Sequence, residues 1–313
     1  MVYSSSMDHN KPSSSQQAAL FLTLTPALFV VLWSTGWIVA RYAAPHADPL
    51  TFLSVRYITA FSVIALFSLA MRAPWPRGKM AILHTFMSGI LIHAIYLGAV
   101  WWAIKKGVPA GISGLIAALQ PLLTAALGGW LIKEHVKPLQ WLGVAVGFIG
   151  VLMVLEPKIV QSLSSTGNQP SLIVPIIVNC IGMLSATLGS FYQKRYLGTG
   201  DLRTITAMQY IGALIVTLPM ALMVEDLRFD LVPETFYALA WAVIPLSIGA
   251  IGLMLMMIRK GAVSRVASLI YLVPPTVAIQ AWLLFDEKLV IIQIIGMIIT
   301  AFGVYLSTKR GST

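Results

Sequence analysis

LQPLLTAALGGWLIKEHVKPLQWLGVAVGFIG at residues 119–150 and LVPPTVAIQAWLLFDEKLVIIQIIGMIITAFG at residues 272–303 carry the same punctuation 153 positions apart. Pro121 falls on Pro274, Glu134 on Glu287, Gly143 on Gly296 and Gly150 on Gly303. The same offset takes Gly36 to Gly189, Arg41 to Lys194, Asp48 to Asp201, Thr51 to Thr204 and Tyr57 to Tyr210. Chance identities between apolar helices are common. A constant offset across Gly, Pro and charged positions is not, and it marks an internal repeat.

Around these stretches the 313 residues are 58% hydrophobic and 10% charged, with a mean hydropathy of +0.84. Soluble domains carry about a quarter charged residues, and a water-soluble globule has no place to hide so much apolar surface. A bilayer does, at about 20 apolar residues per helical crossing. Apolar runs bounded by charges, Pro or Gly predict ten spans, near 20–42, 49–71, 80–104, 108–132, 138–155, 172–194, 203–224, 234–258, 263–285 and 289–307. The fold class expected is an all-α integral membrane protein made of two five-helix repeats, 20–155 and 172–307. A linker at 156–171, with Ser164, Ser165, Gly167, Asn168 and Pro170, joins them. Residues 1–19 and 308–313 read as tails, the first too poor in apolar side chains to offset the entropy of ordering.

With the N-terminus in the cytoplasm, fourteen Lys and Arg residues fall on that side and six on the other, with Arg56 inside a span. Retention of Lys and Arg on the cytoplasmic face then puts both termini inside. Because five is odd, the second repeat begins on the opposite side and is inverted relative to the first. Corresponding loops differ in charge as inversion requires, Arg72, Arg77 and Lys79 standing against Glu225, Asp226 and Asp230. Two similar halves in opposite orientation can exchange outward-open and inward-open arrangements around a midplane site, which points to a carrier.

The segment Leu32-Trp33-Ser34-Thr35-Gly36-Trp37 ending in Arg41-Tyr42, the Arg56-Tyr57 pair, and the run from Leu119-Gln120-Pro121-Leu122 to Glu134 resemble the drug/metabolite transporter superfamily, specifically its EamA-type permeases. Leu272-Val273-Pro274, Asp286-Glu287 and a last helix with Gly296 and Gly303 resemble the second EamA unit, so the likeness covers residues 20–307. The resemblance implies a secondary carrier with cytoplasmic termini, a central cavity built from both halves, export of amino acids, other metabolites or drugs, and a bacterial inner-membrane location. It implies no single substrate. Ser34, where many relatives have Gly after the Trp, and the doubled Pro274-Pro275 depart from the common pattern.

Several residues are candidates for the cavity. Trp33, Trp37 and Arg41 recur at i, i+4 and i+8, hence on one stripe of the first helix, and Tyr96 and Trp101 can present a similar surface on the third. Such aromatics suit apolar or cationic solutes, although aromatic belts at the membrane interface have the same composition. Arg56 is the one charge well inside a span, a candidate for a solute carboxylate or for snorkelling to the interface. His93, mid-span, can titrate near neutral pH, or serve as a hydrogen-bonded core residue. Gln120, Gln209, Tyr210 and Tyr271 complete the expected lining. Pro121, Pro274 and Pro275 leave the carbonyls of Ala117, Ile270 and Tyr271 without their usual helical partners, and so read as hinges or static bends. Gly143, Gly147, Gly150, Gly296 and Gly303 supply smooth packing surfaces, within the bundle or at a homodimer seam.

The sequence holds no nucleotide-binding loop, no nucleic-acid module and no metal-spaced His/Cys cluster; the single Cys180 excludes an internal disulfide. No cofactor, metal or catalytic residue is expected, only a small organic solute and the bilayer as partners. All eleven acidic residues lie in the tail, in loops or at helix ends. Proton coupling would use His93, Glu134 or Glu287; exchange against a counter-substrate and uniport are the alternatives. Gly111-Ile112-Ser113-Gly114 matches the short motif of rhomboid-type serine proteases, but the only later His is His135, at a helix end. A channel or scaffold subunit is the other rival, without a visible filter of carbonyls or charges.

Overall fold

The structure, a computed structural model, describes residues 14–131, 138–164, 171–250, 253 and 272–308. Its regular elements are α1 (Ser14–Ala43), α2 (Pro49–Ala70), α3 (Lys79–Gly89), α4 (Tyr96–Lys105), α5 (Ala110–Ile116), α6 (Leu119–Leu131), α7 (Pro138–Ser164), α8 (Ile173–Tyr196), α9 (Leu202–Val224), α10 (Pro233–Trp241), α11 (Val273–Phe285) and α12 (Ile291–Thr308). Two π-helical segments, π1 (Ile90–Ile95) and π2 (Ala242–Ala250), continue α3 into α4 and extend α10. Among the described residues, six helices are long and apolar enough to cross a bilayer: Leu24–Ala43, Pro49–Ala70, Lys79–Lys105, Pro138–Pro157, Ile173–Tyr196 and Leu202–Val224. The chain is an all-α membrane protein.

The helices form where apolar residues run unbroken. In α2, Pro49 at the first turn has no amide to leave unpaired. Phe52, Leu53, Tyr57 and Ala60 of that helix are buried, while Ile58, Val63, Leu66 and Phe67 face outward, a pattern stable only if lipid is the solvent. Helices pair antiparallel across the repeat: α2 lies along α9, α7 along α12 and α5 along α11. Other contacts cross over, α1 against α10 and π2, and α8 against α3 and π1. Adding 153 to one contact set and subtracting it from the other exchanges them.

The α2–α9 pair is tied at both ends. Glu225, just past α9, accepts from the amides of Leu50 (2.9 Å) and Thr51 (2.8 Å) at the open end of α2. Its field also opposes the positive end of that helix. At the far end of the same pair, Thr204 Oγ1 donates to Pro74 O (2.8 Å). Asp286 closes α11 in the left-handed conformation (φ 53°), with the Glu287 amide returning to Ala281 O. That turn presents Glu287 to α5, where it accepts from Ala110 N (3.0 Å) and Gly111 N (2.9 Å), with Arg41 3.9 Å away. Nearby, Lys105 Nζ donates to Ala44 O (2.6 Å) and Ala47 O (3.2 Å), and Asp48 and Arg228 exchange main-chain and side-chain bonds. In the same loop Arg228 binds Asp230 and holds its carboxyl below the usual carboxylate range.

The α7–α12 seam is where glycine is required. A Cβ on Gly150 would stand 2.6 Å from Gly296 O, and one on Gly303 would stand 2.7 Å from Gly143 O and collide with the backbone of Gly147. All five glycines singled out for packing therefore lie between two helices of one chain. Gln293 Nε2 reaches Val154 O (3.1 Å) along the same seam.

Several expectations change. α1 begins at Ser14, inside the supposed tail, since the Ser, Gln and Ala of SSQQAA do not oppose helix. α7 continues to Ser164 through the supposed linker, Pro157 forfeiting one bond, and α12 runs to Thr308, one residue into the C-terminal tail. The third span is α-helical only outside π1, and the eighth outside π2. The fourth is broken at 117–118, where Ala117 N reaches Gly114 O and Gln120 N reaches Ala117 O, so the Ala117 carbonyl is satisfied after all. Pro121 lies in the first turn of α6 and Pro274 and Pro275 in the first turn of α11, positions where a missing amide costs little. Ile270, Tyr271, Glu134 and His135 lie outside the described residues.

Gly303→Leu should cost about 3 kcal/mol by overpacking, read as a lower midpoint of thermal unfolding in detergent. Gly36→Ala, with nothing within 4 Å of its added Cβ, should leave the midpoint unchanged. Glu287→Ala should cost about 1–3 kcal/mol by leaving two buried amides unpaired, and Glu287→Gln less, in the same measurement.

Candidate functional site

The irregular backbone gathers around one space. A cavity of about 440 Å³ lies between the halves. Its walls are Trp33 and Trp37 of α1, Ile92 and Tyr96 at the end of π1, the 117–118 break with Gln120, Ser190 and Gln193 of α8, the first turn of α11 with Pro274 and Pro275, and Thr300 of α12. Broken and π-helical backbone is tolerated at membrane depth where it meets protein or a water-accessible cavity, and that is where it occurs here.

A second chamber of about 120 Å³ shares Trp33, Trp37, Ile92 and Tyr96 with the first and extends to Arg56, His93, Trp101, Tyr210 and Ser247. Tyr57 and Tyr210, counterparts at the repeat offset, stack on each other with centroids 5.6 Å apart and planes 15° from parallel. Each hydroxyl reaches a π segment. Tyr57 donates to His93 O (2.8 Å), and Tyr210 donates to Ser247 Oγ (3.0 Å), which itself donates to Ala242 O five residues back (3.0 Å). The His93 ring lies 4.8 Å from the Tyr210 ring. Arg56 is 8% exposed, its Nε is buried without a partner, and its side chain makes no hydrogen bond or ion pair among the described residues.

The expected lining residues divide accordingly. Trp33, Trp37 and Tyr96 line both spaces, Gln120 the larger one, and Arg56, His93, Trp101 and Tyr210 the smaller. Gln209 lies behind the wall, donating to Ser88 Oγ (2.8 Å) and to Gln193 Oε1 (3.0 Å). Tyr271 is outside the described residues. Ser190, Gln193, Ser247 and Thr300 had escaped notice. Polar residues at helical spacing in α8, on the side away from its lipid-facing Leu184 and Leu188, were the available signal for the first two. Ser113 is fully buried and accepts from Asn179 Nδ2 (2.6 Å), while a Cβ on Gly114 would stand 2.6 Å from Val277 Cβ, so the Gly-x-Ser-Gly stretch serves the α5–α11 contact. Among the described residues, no group of His, Cys, Asp and Glu is arranged to hold a metal ion.

Comparison with known proteins gives a consistent result. Residues 13–156 and 173–309 each match the family described as EamA-like transporter family. The chain is 25% identical over 292 residues to the "Probable amino-acid metabolite efflux pump" of Salmonella typhimurium, covering 90% of this chain and 92% of that protein. It is 27% identical over 292 residues to the "Uncharacterized inner membrane transporter YedA" of Escherichia coli strain K12, covering 92% and 91%. A solved crystal structure, 17% identical, superposes with a TM-score of 0.64 over 91% of this chain and 96% of the other. That likeness concerns the fold.

Proposed function

The chain belongs to the EamA-like transporter family, and from that premise we propose a secondary-active carrier that exports a small organic metabolite, amino acid-like or drug-like, by alternating access. The family comprises transporters, so the chain is a multi-pass membrane transporter and not an enzyme. The finer reading rests on one observation above all, an asymmetry between counterparts. A Cβ on Gly189 of α8 would lie 2.6 Å from Ile92 Cγ1, whereas Gly36 of α1, its counterpart, borders the smaller chamber with nothing within 4 Å. Two like interfaces, one shut and one open, are what a carrier has when caught in one of two exchangeable states.

Ten spans arranged as two inverted five-helix units account for the antiparallel pairing of counterpart helices. The Lys and Arg bias supports cytoplasmic termini, and the name of the Escherichia coli relative supports an inner-membrane location. On that orientation the end closed by Arg41, Lys105, Glu225 and Glu287 faces outward, and the larger cavity belongs to an outward-closed form. The relative named as an amino-acid metabolite efflux pump supports a solute of that size, and 440 Å³ is within the range of small-molecule sites.

Purified protein in liposomes should show saturable counterflow with at least one amino acid or related metabolite; flux that is linear in concentration, or none, would overturn the carrier reading. In a Cys180→Ser background, Arg77→Cys and Arg228→Cys should react with an impermeant thiol reagent from opposite sides. Reaction from the same side would remove the inversion. If coupling is to protons through His93, His93→Gln should flatten the pH dependence of transport, and an unaltered profile would assign the coupling elsewhere.

A further inference from the structure

We infer that Arg56 receives the carboxylate of the transported solute, so that the carrier selects monocarboxylic acids with an apolar body and gains nothing from an α-amino group. The inference rests on the carrier reading and names the substrate class of the same site. A guanidinium taken out of water is costly unless paired, and arginines buried for structural reasons are paired. Arg56 is more than nine-tenths buried, borders the smaller chamber, and has no acidic or hydrogen-bonding partner among the described residues. Glu225, at the start of α2, is committed to the amides of Leu50 and Thr51.

Two further unpartnered groups belong to residues that line that chamber. Trp37 Nε1, on a side chain 5% exposed, has no partner, and neither does His93 Nδ1. The indole N–H can only donate; the ring nitrogen can donate in one tautomer. A carboxylate offers about four lone-pair sites and matches the planar fork of Arg. The larger cavity, walled by Trp33, Tyr96, Val273 and Pro274, then takes an apolar body.

An ammonium group finds no such reception. Among the described residues no Asp or Glu lines either space. Of the two glutamines lining the larger cavity, Gln193 has its Oε1 already taken by Gln209 Nε2 and, at 3.5 Å, Ser88 Oγ. Beside an unpaired guanidinium, a second cation is repelled.

The test is equilibrium binding to the purified full-length protein in detergent, with 3-phenylpropionate, 3-phenylpropanamide, phenylalanine and 2-phenylethylamine as probes. The acid should bind about a hundredfold tighter than its amide, the size expected of charge-assisted bonds out of water. It should bind at least as tightly as phenylalanine, and the amine should not bind measurably. Arg56→Gln should abolish the preference of acid over amide, and should raise the unliganded Tm, since an unpaired buried charge is removed. Trp37→Phe keeps the ring and loses the N–H, and should weaken the acid about tenfold. This variant and the wild-type acid-to-amide ratio decide the matter even if Arg56→Gln does not fold. Equal binding of acid and amide, preference for the amine, or an Arg56→Gln protein that keeps its preference would overturn the inference. Saturable counterflow of amines alone would leave the carrier reading standing and remove the carboxylate site; acid binding without counterflow would do the reverse.

Discussion

A backbone amide or carbonyl facing hydrocarbon has nothing to bond, and each such group costs several kcal/mol in the roughly 30 Å of a bilayer core. This constraint orders the whole molecule. Regular α-helix makes most of the surface that meets lipid, as in the outward faces of α2 and α9. The departures gather beside the interior: π1, π2, the 117–118 break and the proline-bearing start of α11 all supply residues to the two chambers, while Ile95, Ile244 and Ile248 of the π segments also face outward. Helix ends near the closed face obey the same rule. The amides opening α2 and α5 are satisfied by Glu225 and Glu287, each supplied from the other half of the chain.

Spans and their repetition were legible because hydropathy and offset identities survive as one-dimensional patterns. Gly143, Gly150, Gly296 and Gly303 were readable as packing positions for the same reason, although only the structure shows α7 pressed on α12. Three kinds of feature were not readable. π1 lacks any local mark, since ILIHAI is composed like ordinary helix, and the one mark in π2, Pro245, signals a bend and not a π-helix. Helix ends drifted where Ser, Gln and Pro suggested loops, at Ser14 and at 156–164. Gln209 was placed in the cavity because a buried amide in a span invites that reading, whereas it acts one layer back, holding Gln193.

The site combines features that a soluble protein would separate. Arg56 borders a chamber lined by three tryptophans, two tyrosines and a histidine, with no counter-charge among the described residues, beside a larger cavity whose wall is mostly apolar. Such an arrangement penalises the resting state slightly and rewards occupancy, as a transport site must if binding is to bias the protein between forms. On the alternating-access proposal, the difference between Gly36 and Gly189 marks where the bias would act, one of these interfaces closing as the other opens.

Tyr57 and Tyr210 have a particular position in such an exchange. On the alternating-access proposal, contacts would change partners as the two halves trade roles, but a residue stacked on its own counterpart would meet the same neighbour before and after. An interaction on that axis of exchange would contribute equally to both forms and cancel from the equilibrium between them. It could be strong without locking the protein, and on that proposal the tyrosine stack is a fulcrum for the rocking halves.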